Sequence, residues 1–216
     1  MRAFHRRMSK NTLRLLCSII LGTIAASAQA VSFGVIGGVP LTDPLSFRDE
    51  SRHYIVGGSI EVRLPARFAV EADVLYQRVG NSTASFGPVT PTITSFSSRQ
   101  RGNAWKFPVL GKYYFRPRTS AWQPFAGTGY AFRAIDFRSD VNETIIDSSG
   151  ASQNNSFHFN NGAGLGVGAV FAAGIRFHTG RFAFSPQLRY TRWGDTQNSA
   201  TSLRRNEAGL LLGISF

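Results

Sequence analysis

Read backwards from Phe216, the residues Ile214, Leu212, Leu210 and Ala208 take alternate positions, and Ser215, Gly213, Gly209 and Glu207 fall between them, with Leu211 the one large apolar residue out of step. A period of two with one apolar and one small or polar face is the signature of a β-strand. The same alternation recurs along the chain. It predicts strands at about Val31 to Pro40, Tyr54 to Leu64, Phe68 to Val79, Asn103 to Phe115, Trp122 to Arg133, Gly162 to Phe177, Phe182 to Trp193 and Arg204 to Phe216.

The two faces differ in kind. Tyr54, Val56, Gly58, Ile60, Val62 and Leu64 alternate with Ile55, Gly57, Ser59, Glu61 and Arg63, and Phe68, Val70, Ala72, Val74 and Tyr76 with Ala69, Glu71, Asp73, Leu75 and Gln77. Trp105, Phe107, Val109, Tyr113 and Phe115 oppose Lys106, Leu110, Lys112 and Tyr114, and Leu165, Val167, Phe171 and Phe177 oppose Gly164, Gly166, Gly168 and Arg176. The bulky apolar side chains thus share one face and the charges and glycines the other. A water-soluble barrel cannot place the charges and glycines inside and Phe, Trp and Leu in water, so the pattern favours lipid outside over a lipocalin-like fold.

Connections supply the topology. Pro65 to Arg67, Arg116 to Ala121 and His178 to Arg181 are tight turns, whereas Leu41 to His53, Gly80 to Gly102, Ala134 to Asn161 and Gly194 to Leu203 are long and rich in Ser, Thr, Asn and Gly. Short turns on one side and long loops on the other point to an all-β fold, an eight-stranded antiparallel up-and-down transmembrane β-barrel, with short turns periplasmic and long loops extracellular.

Residues 1–30 change the reading of charge. Arg2, Arg6, Arg7, Lys10 and Arg14 precede the apolar run Leu15 to Ala26, and Ala28-Gln29-Ala30 offers small residues for cleavage, so 1–30 reads as a secretory signal peptide and 31–216 as the barrel domain. The run is too short for a bilayer span. Cys17, the single cysteine, lies within it, preceded by Leu15 and Leu16 where a lipoprotein signal wants a small residue, so a disulfide-free exported protein is expected. Five of the 24 Lys and Arg residues belong to this leader, leaving 19 against 12 acids and a formal charge of +7 instead of +12. No basic helix or binding motif accompanies that remainder, which argues against nucleic acid and for outer-membrane lipid and lipopolysaccharide as anionic partners.

Aromatic positions mark two girdles on the apolar face: Phe68, Phe115, Trp122, Phe177, Phe182 and Phe216 near the short turns, and Tyr54, Tyr76, Trp105, Phe132 and Tyr190 near the long connections. With Trp105-Lys-Phe-Pro-Val-Leu-Gly-Lys-Tyr-Tyr-Phe115 and Pro124-Phe-Ala-Gly-Thr-Gly-Tyr130 as its most family-like strands, the chain resembles the OmpA/OmpX-type family of small outer-membrane β-barrels across essentially everything after the leader. The resemblance implies a location in the cell outer membrane, a monomer, and a terminal Phe216 read by the barrel insertion machinery. With nothing after Phe216, no periplasmic peptidoglycan-binding domain is expected.

The charged face gathers Glu61, Arg63, Glu71, Asp73, Lys106, Lys112, Arg133, Arg176, Arg189 and Glu207 in the lumen. Small barrels are filled by side chains, and charges taken from water need partners, so this set reads as a structural charge network that plugs the barrel, with Glu71 and Asp73 neutralising Lys106 and Lys112 across the third and fourth strands. A narrow porin-like channel is the alternative. Gly162-Ala-Gly-Leu-Gly-Val-Gly168 lacks the strand-to-helix context of a phosphate loop, and its glycines read as packing positions. The four histidines are too dispersed for a metal site. A lipid-A-modifying enzyme would have to draw on His53 or His158, a loop Ser, and Asp136 or Asp195. The expectation is therefore non-enzymatic and cofactor-free: envelope integrity and surface interaction, with an extracellular ligand met by the loops.

Overall fold

The computed structural model describes residues 31–42, 54–89, 92–146, 149–194 and 205–216. The expected leader, including Cys17, and His53 and Asp195 lie outside them. Eight strands form one closed antiparallel barrel in chain order: β1 (Val31–Pro40), β2 (Ile55–Arg63), β3 (Phe68–Val89), β4 (Thr92–Tyr114), β5 (Trp122–Ile146), β6 (Ser152–Thr179), β7 (Phe182–Trp193) and β8 (Asn206–Ser215). β1 closes on β8, with Val35 opposite Ile214 and Val39 opposite Leu210, and Phe216 exchanges both backbone hydrogen bonds with Phe33.

Strand lengths correct the expected connections. A membrane-crossing strand needs about 9–11 residues, and β1, β2, β7 and β8 have 10, 9, 12 and 10. β3 to β6 run instead to 22, 23, 25 and 28 residues. The stretches expected as loops, Gly80 to Gly102 and Ala134 to Asn161, are mostly paired backbone: Gly80 lies opposite Arg101, Arg101 opposite Arg138, and Arg138 opposite Asn160. A four-stranded sheet therefore continues beyond the level at which the other strands stop. Its residues lost the apolar alternation because water replaces lipid on the outer face, while Thr, Val, Ile and Phe still favour an extended backbone. The register of β5 on β6 shifts between Ile135 and Phe137, where the membrane section passes into this extension.

The faces fall as their parity requires. Phe33, Val56, Phe68, Val109, Tyr130, Leu165, Leu188 and Leu212 point outward and are exposed, and so do the girdle residues Phe115, Trp122, Phe182, Trp105 and Phe132. Inward positions include glycines where strands crowd: a Cβ on Gly129 would lie 1.9 Å from the Val109 carbonyl oxygen. At the tight turn between β2 and β3, Ala66 and Arg67 both take positive φ, 57° and 68°, and Phe68 N donates to Pro65 O at 3.3 Å, the geometry of a type I′ hairpin built without its favoured residues.

Candidate functional site

Every one of the ten sequence-selected charges lies in the lumen, and all ten are engaged there. Glu61, Glu71, Asp73, Lys106, Lys112, Arg133, Arg176, Arg189 and Glu207 are buried, and the Arg63 side chain is only 11% exposed. Six cations thus meet four carboxylates.

They form two clusters. In the one nearer the short turns, Glu61 accepts from Arg63 Nε at 2.6 Å, Arg176 Nη1 at 2.9 Å and Tyr114 Oη at 2.7 Å, and lies 3.5 Å from Lys112 Nζ. Lys112 bonds Glu71, which also accepts from Arg189 Nη2 at 3.1 Å, and Arg189 Nη1 reaches Asp73 at 2.6 Å. In the other cluster Glu207 accepts from Lys106 Nζ at 2.6 Å and from Arg133 Nη1 at 2.7 Å, and Lys106 also donates to Gln77 Oε1 at 2.9 Å.

The pairing follows the expected one for Glu71 with Lys112 and departs from it for Lys106. Lys106 stands opposite Leu75, while Glu71 stands opposite Leu110, so register carries Lys106 away from Glu71 and Asp73 and leaves it to Glu207. The ties also run across the barrel rather than along it. Glu61 on β2 meets Arg176 on β6, Asp73 on β3 meets Arg189 on β7, and Lys106 on β4 meets Glu207 on β8. Each pair joins strands four apart in an eight-strand ring, which is diametrically opposite. Only an interior narrow enough for two side chains to touch permits this.

Neutral residues complete the set. Tyr114 stacks under the Arg63 guanidinium at 3.6 Å, and the Arg133 guanidinium lies over Trp193 at 4.3 Å. Gln123 accepts from Arg63 Nη1 at 3.2 Å and donates to Pro117 O at 2.8 Å, linking the network to the turn between β4 and β5. Inward parity marks these residues too, but charge alone drew notice. Gly168 belongs with them: a Cβ there would lie 2.9 Å from the Trp193 ring, so this glycine makes room for the indole. Among the described residues, cavities of about 40 Å³ beside Lys106 and Glu207 and of about 20 Å³ beside Glu61 and Arg176 open in the lumen. Both are of the size of one or a few waters.

Of the other candidate residues, His158 and Asp136 lie among the described ones. His158 Nδ1 is 2.8 Å from Asp140, not Asp136, on an exposed part of the sheet extension. Among the described residues no three His, Cys, Asp or Glu side chains gather as a metal site.

Several solved structures are similar to this chain. The N-terminal β-barrel domain of Pseudomonas aeruginosa OprF is 17% identical, with 87% of this chain and 97% of that one covered and a TM-score of 0.43. Neisserial surface protein A is 16% identical over 86% of this chain and 94% of that one, with a TM-score of 0.43. Ail, the attachment invasion locus protein of Yersinia pestis, is 12% identical over 86% and 95%, with a TM-score of 0.36. No curated protein sequence matches the chain. The model of the outer membrane protein beta-barrel domain matches residues 26–194. With its closed eight-strand ring, apolar outer face and this match, the chain belongs to the outer membrane protein beta-barrel domain family and resides in the cell outer membrane.

Proposed function

We propose that this protein is a non-enzymatic wall element of the outer membrane: a barrel plugged by its own charges, carrying a sheet extension that meets partners outside the cell. The observation that carries the first half is the set of ion pairs that cross the barrel from one wall to the other. A hydrated ion needs a continuous path, and side chains touching across the ring interrupt it at two levels.

Support for the second half comes from the extension. Phe157 and Phe159 share the face of Val141 and Ser139, stack at 6.3 Å, and are 46% and 51% exposed. Aromatic side chains held on a rigid ladder above the membrane are suited to contact with another surface. The extension faces outward and the tight turns face the periplasm, as connection lengths in such barrels run.

Complementation of a deletion strain separates the two halves. The full chain is compared with a form whose hairpins are shortened to Asn-Gly turns above the Gly80/Arg101 and Ser139/Phe159 pairs. Both forms should restore exclusion of large antibiotics, and only the full chain should restore surface contact with host-like matrices. Failure of the shortened form to restore exclusion, or full adhesion by it, would overturn the assignment.

A further inference from the structure

The charges of the lumen do not balance. In the cluster farther from the short turns, Lys106 and Arg133 share the single carboxylate of Glu207, and all three residues are buried. In the other cluster four cations meet three carboxylates, but Arg63, alone of the ten charges in not being buried, lies beside the short turns. A surplus charge held away from water is costly until a counter-charge joins it. We propose that the lumen binds one small monovalent anion, of the size and charge of chloride, between Lys106, Arg189 and Thr191. The proposal rests on the plugged barrel described above.

Register and parity build the place. Lys106 on β4, Arg189 and Thr191 on β7 and Glu207 on β8 all point inward and line the cavity of about 40 Å³, with Ile55 and Leu75 on its apolar wall. A lysine ammonium has three protons to donate. Lys106 gives two of them, to Glu207 Oε2 at 2.6 Å and to Gln77 Oε1 at 2.9 Å, and the third meets no acceptor among the described residues. Arg189 uses Nη1 on Asp73 and Nη2 on Glu71, while its buried Nε has no partner among them. Thr191 adds a hydroxyl on the same wall.

Donors beside a surplus positive charge favour an anion over water, because the anion supplies the missing charge and accepts from all of them. The apolar wall lowers the local dielectric and strengthens that attraction. Glu207 lines the cavity too, but one of its oxygens accepts from Lys106 and the other from Arg133. Space selects among anions. The cavity is of the size of one or a few waters, which suits a halide and is too small for a phosphate or a sugar acid. The bound anion gives the two buried cations a second counter-charge and so completes the plug.

The test is urea unfolding of the full chain, purified from membranes, in phosphatidylcholine vesicles, with sodium gluconate replaced stepwise by sodium chloride. Ionic strength is constant throughout, so general screening does not change. A ligand bound only by the folded barrel stabilises it saturably. The midpoint should therefore rise with chloride to a plateau, and bromide should act likewise. Lys106→Gln should abolish the rise. Glu207→Gln keeps the shape but removes the neighbouring negative charge, and should bring half-saturation to a roughly tenfold lower chloride concentration. Thr191→Val, which removes only a hydroxyl, should raise that concentration several-fold and keeps the test decisive if Lys106→Gln fails to fold. Arg181→Gln, in the exposed turn before β7, should respond as the wild type does. In crystals grown in bromide, anomalous scattering should place the ion beside Lys106 Nζ. A midpoint indifferent to halide in the wild type and in Glu207→Gln, a rise of equal size in Lys106→Gln, or no bromide beside Lys106 would show that water fills the cavity and would overturn the proposal. Bilayer conductance tests the plug by itself, and a silent barrel indifferent to halide defeats the anion site alone.

Discussion

Replacing Glu207 with Ala should cost more stability than replacing Glu71. The two oxygens of Glu207 accept from Lys106 and Arg133 at 2.6 and 2.7 Å, with side-chain exposures of 9%, 10% and 1% for the three residues. Among the described residues neither cation has a second carboxylate. Removing one partner of a buried pair costs about 3–5 kcal/mol, and here two cations are stranded. Part is offset: Lys106 keeps Gln77 at 2.9 Å, and Arg133 keeps the Trp193 ring, a contact of about 1 kcal/mol. A loss of about 4 kcal/mol is expected. Glu71→Ala should lose less, about 2 kcal/mol, because Lys112 retains Glu61 at 3.5 Å and Arg189 retains Asp73 at 2.6 Å. Adding Lys106→Ala to Glu207→Ala should cost less than the sum of the singles by about 1–3 kcal/mol. Urea unfolding in lipid vesicles, followed by tryptophan fluorescence, measures all of these. A Glu207→Ala barrel within about 0.5 kcal/mol of wild type, with additive double variants, would mean that water screens these charges and would refute the reasoning.

An epitope tag inserted at Gly150, where φ is 81° and a side chain would meet no atom within 4 Å, should be labelled on intact cells, and one in the turn Arg116 to Ala121 only after permeabilisation. Labelling in the reverse order would invert the orientation. Deleting Phe216, which closes the ring through its two backbone bonds to Phe33, should lower the amount of heat-modifiable barrel in the outer membrane, and normal levels would remove the residue from any role in assembly. Ala66→Asn should raise stability by about 0.5–1 kcal/mol in the same urea assay, since Asn tolerates the left-handed backbone that Ala66 holds at φ 57°. A destabilised variant would show that the turn is held by contacts of the alanine itself.

Side-chain parity made the barrel legible in the sequence. Wherever lipid covered one face, alternation placed strands and sorted all ten charges into the lumen. Two things escaped it. The sheet extension has water on its outer face, so Ser, Thr and Asn replaced the apolar half of the pattern and paired backbone read as loop. Partner choice escaped as well, because a face assignment carries no register. Adjacency suggested Glu71 and Lys106, but Lys106 faces Leu75 and crosses the ring to Glu207. Tyr114 and Trp193 carried lumen parity, but parity does not say that Arg63 and Arg133 stack on them.

The central claim is that opposed side chains close the lumen, and bilayer conductance of the purified barrel tests it most directly. The account predicts no steady unitary current for the wild type at moderate voltage, and the onset of current when Lys106 and Glu207, whose contact at 2.6 Å spans the ring, are both replaced by Ala. A steady, ohmic wild-type current whose ion preference shifts when Lys106 or Glu207 alone is changed would contradict it.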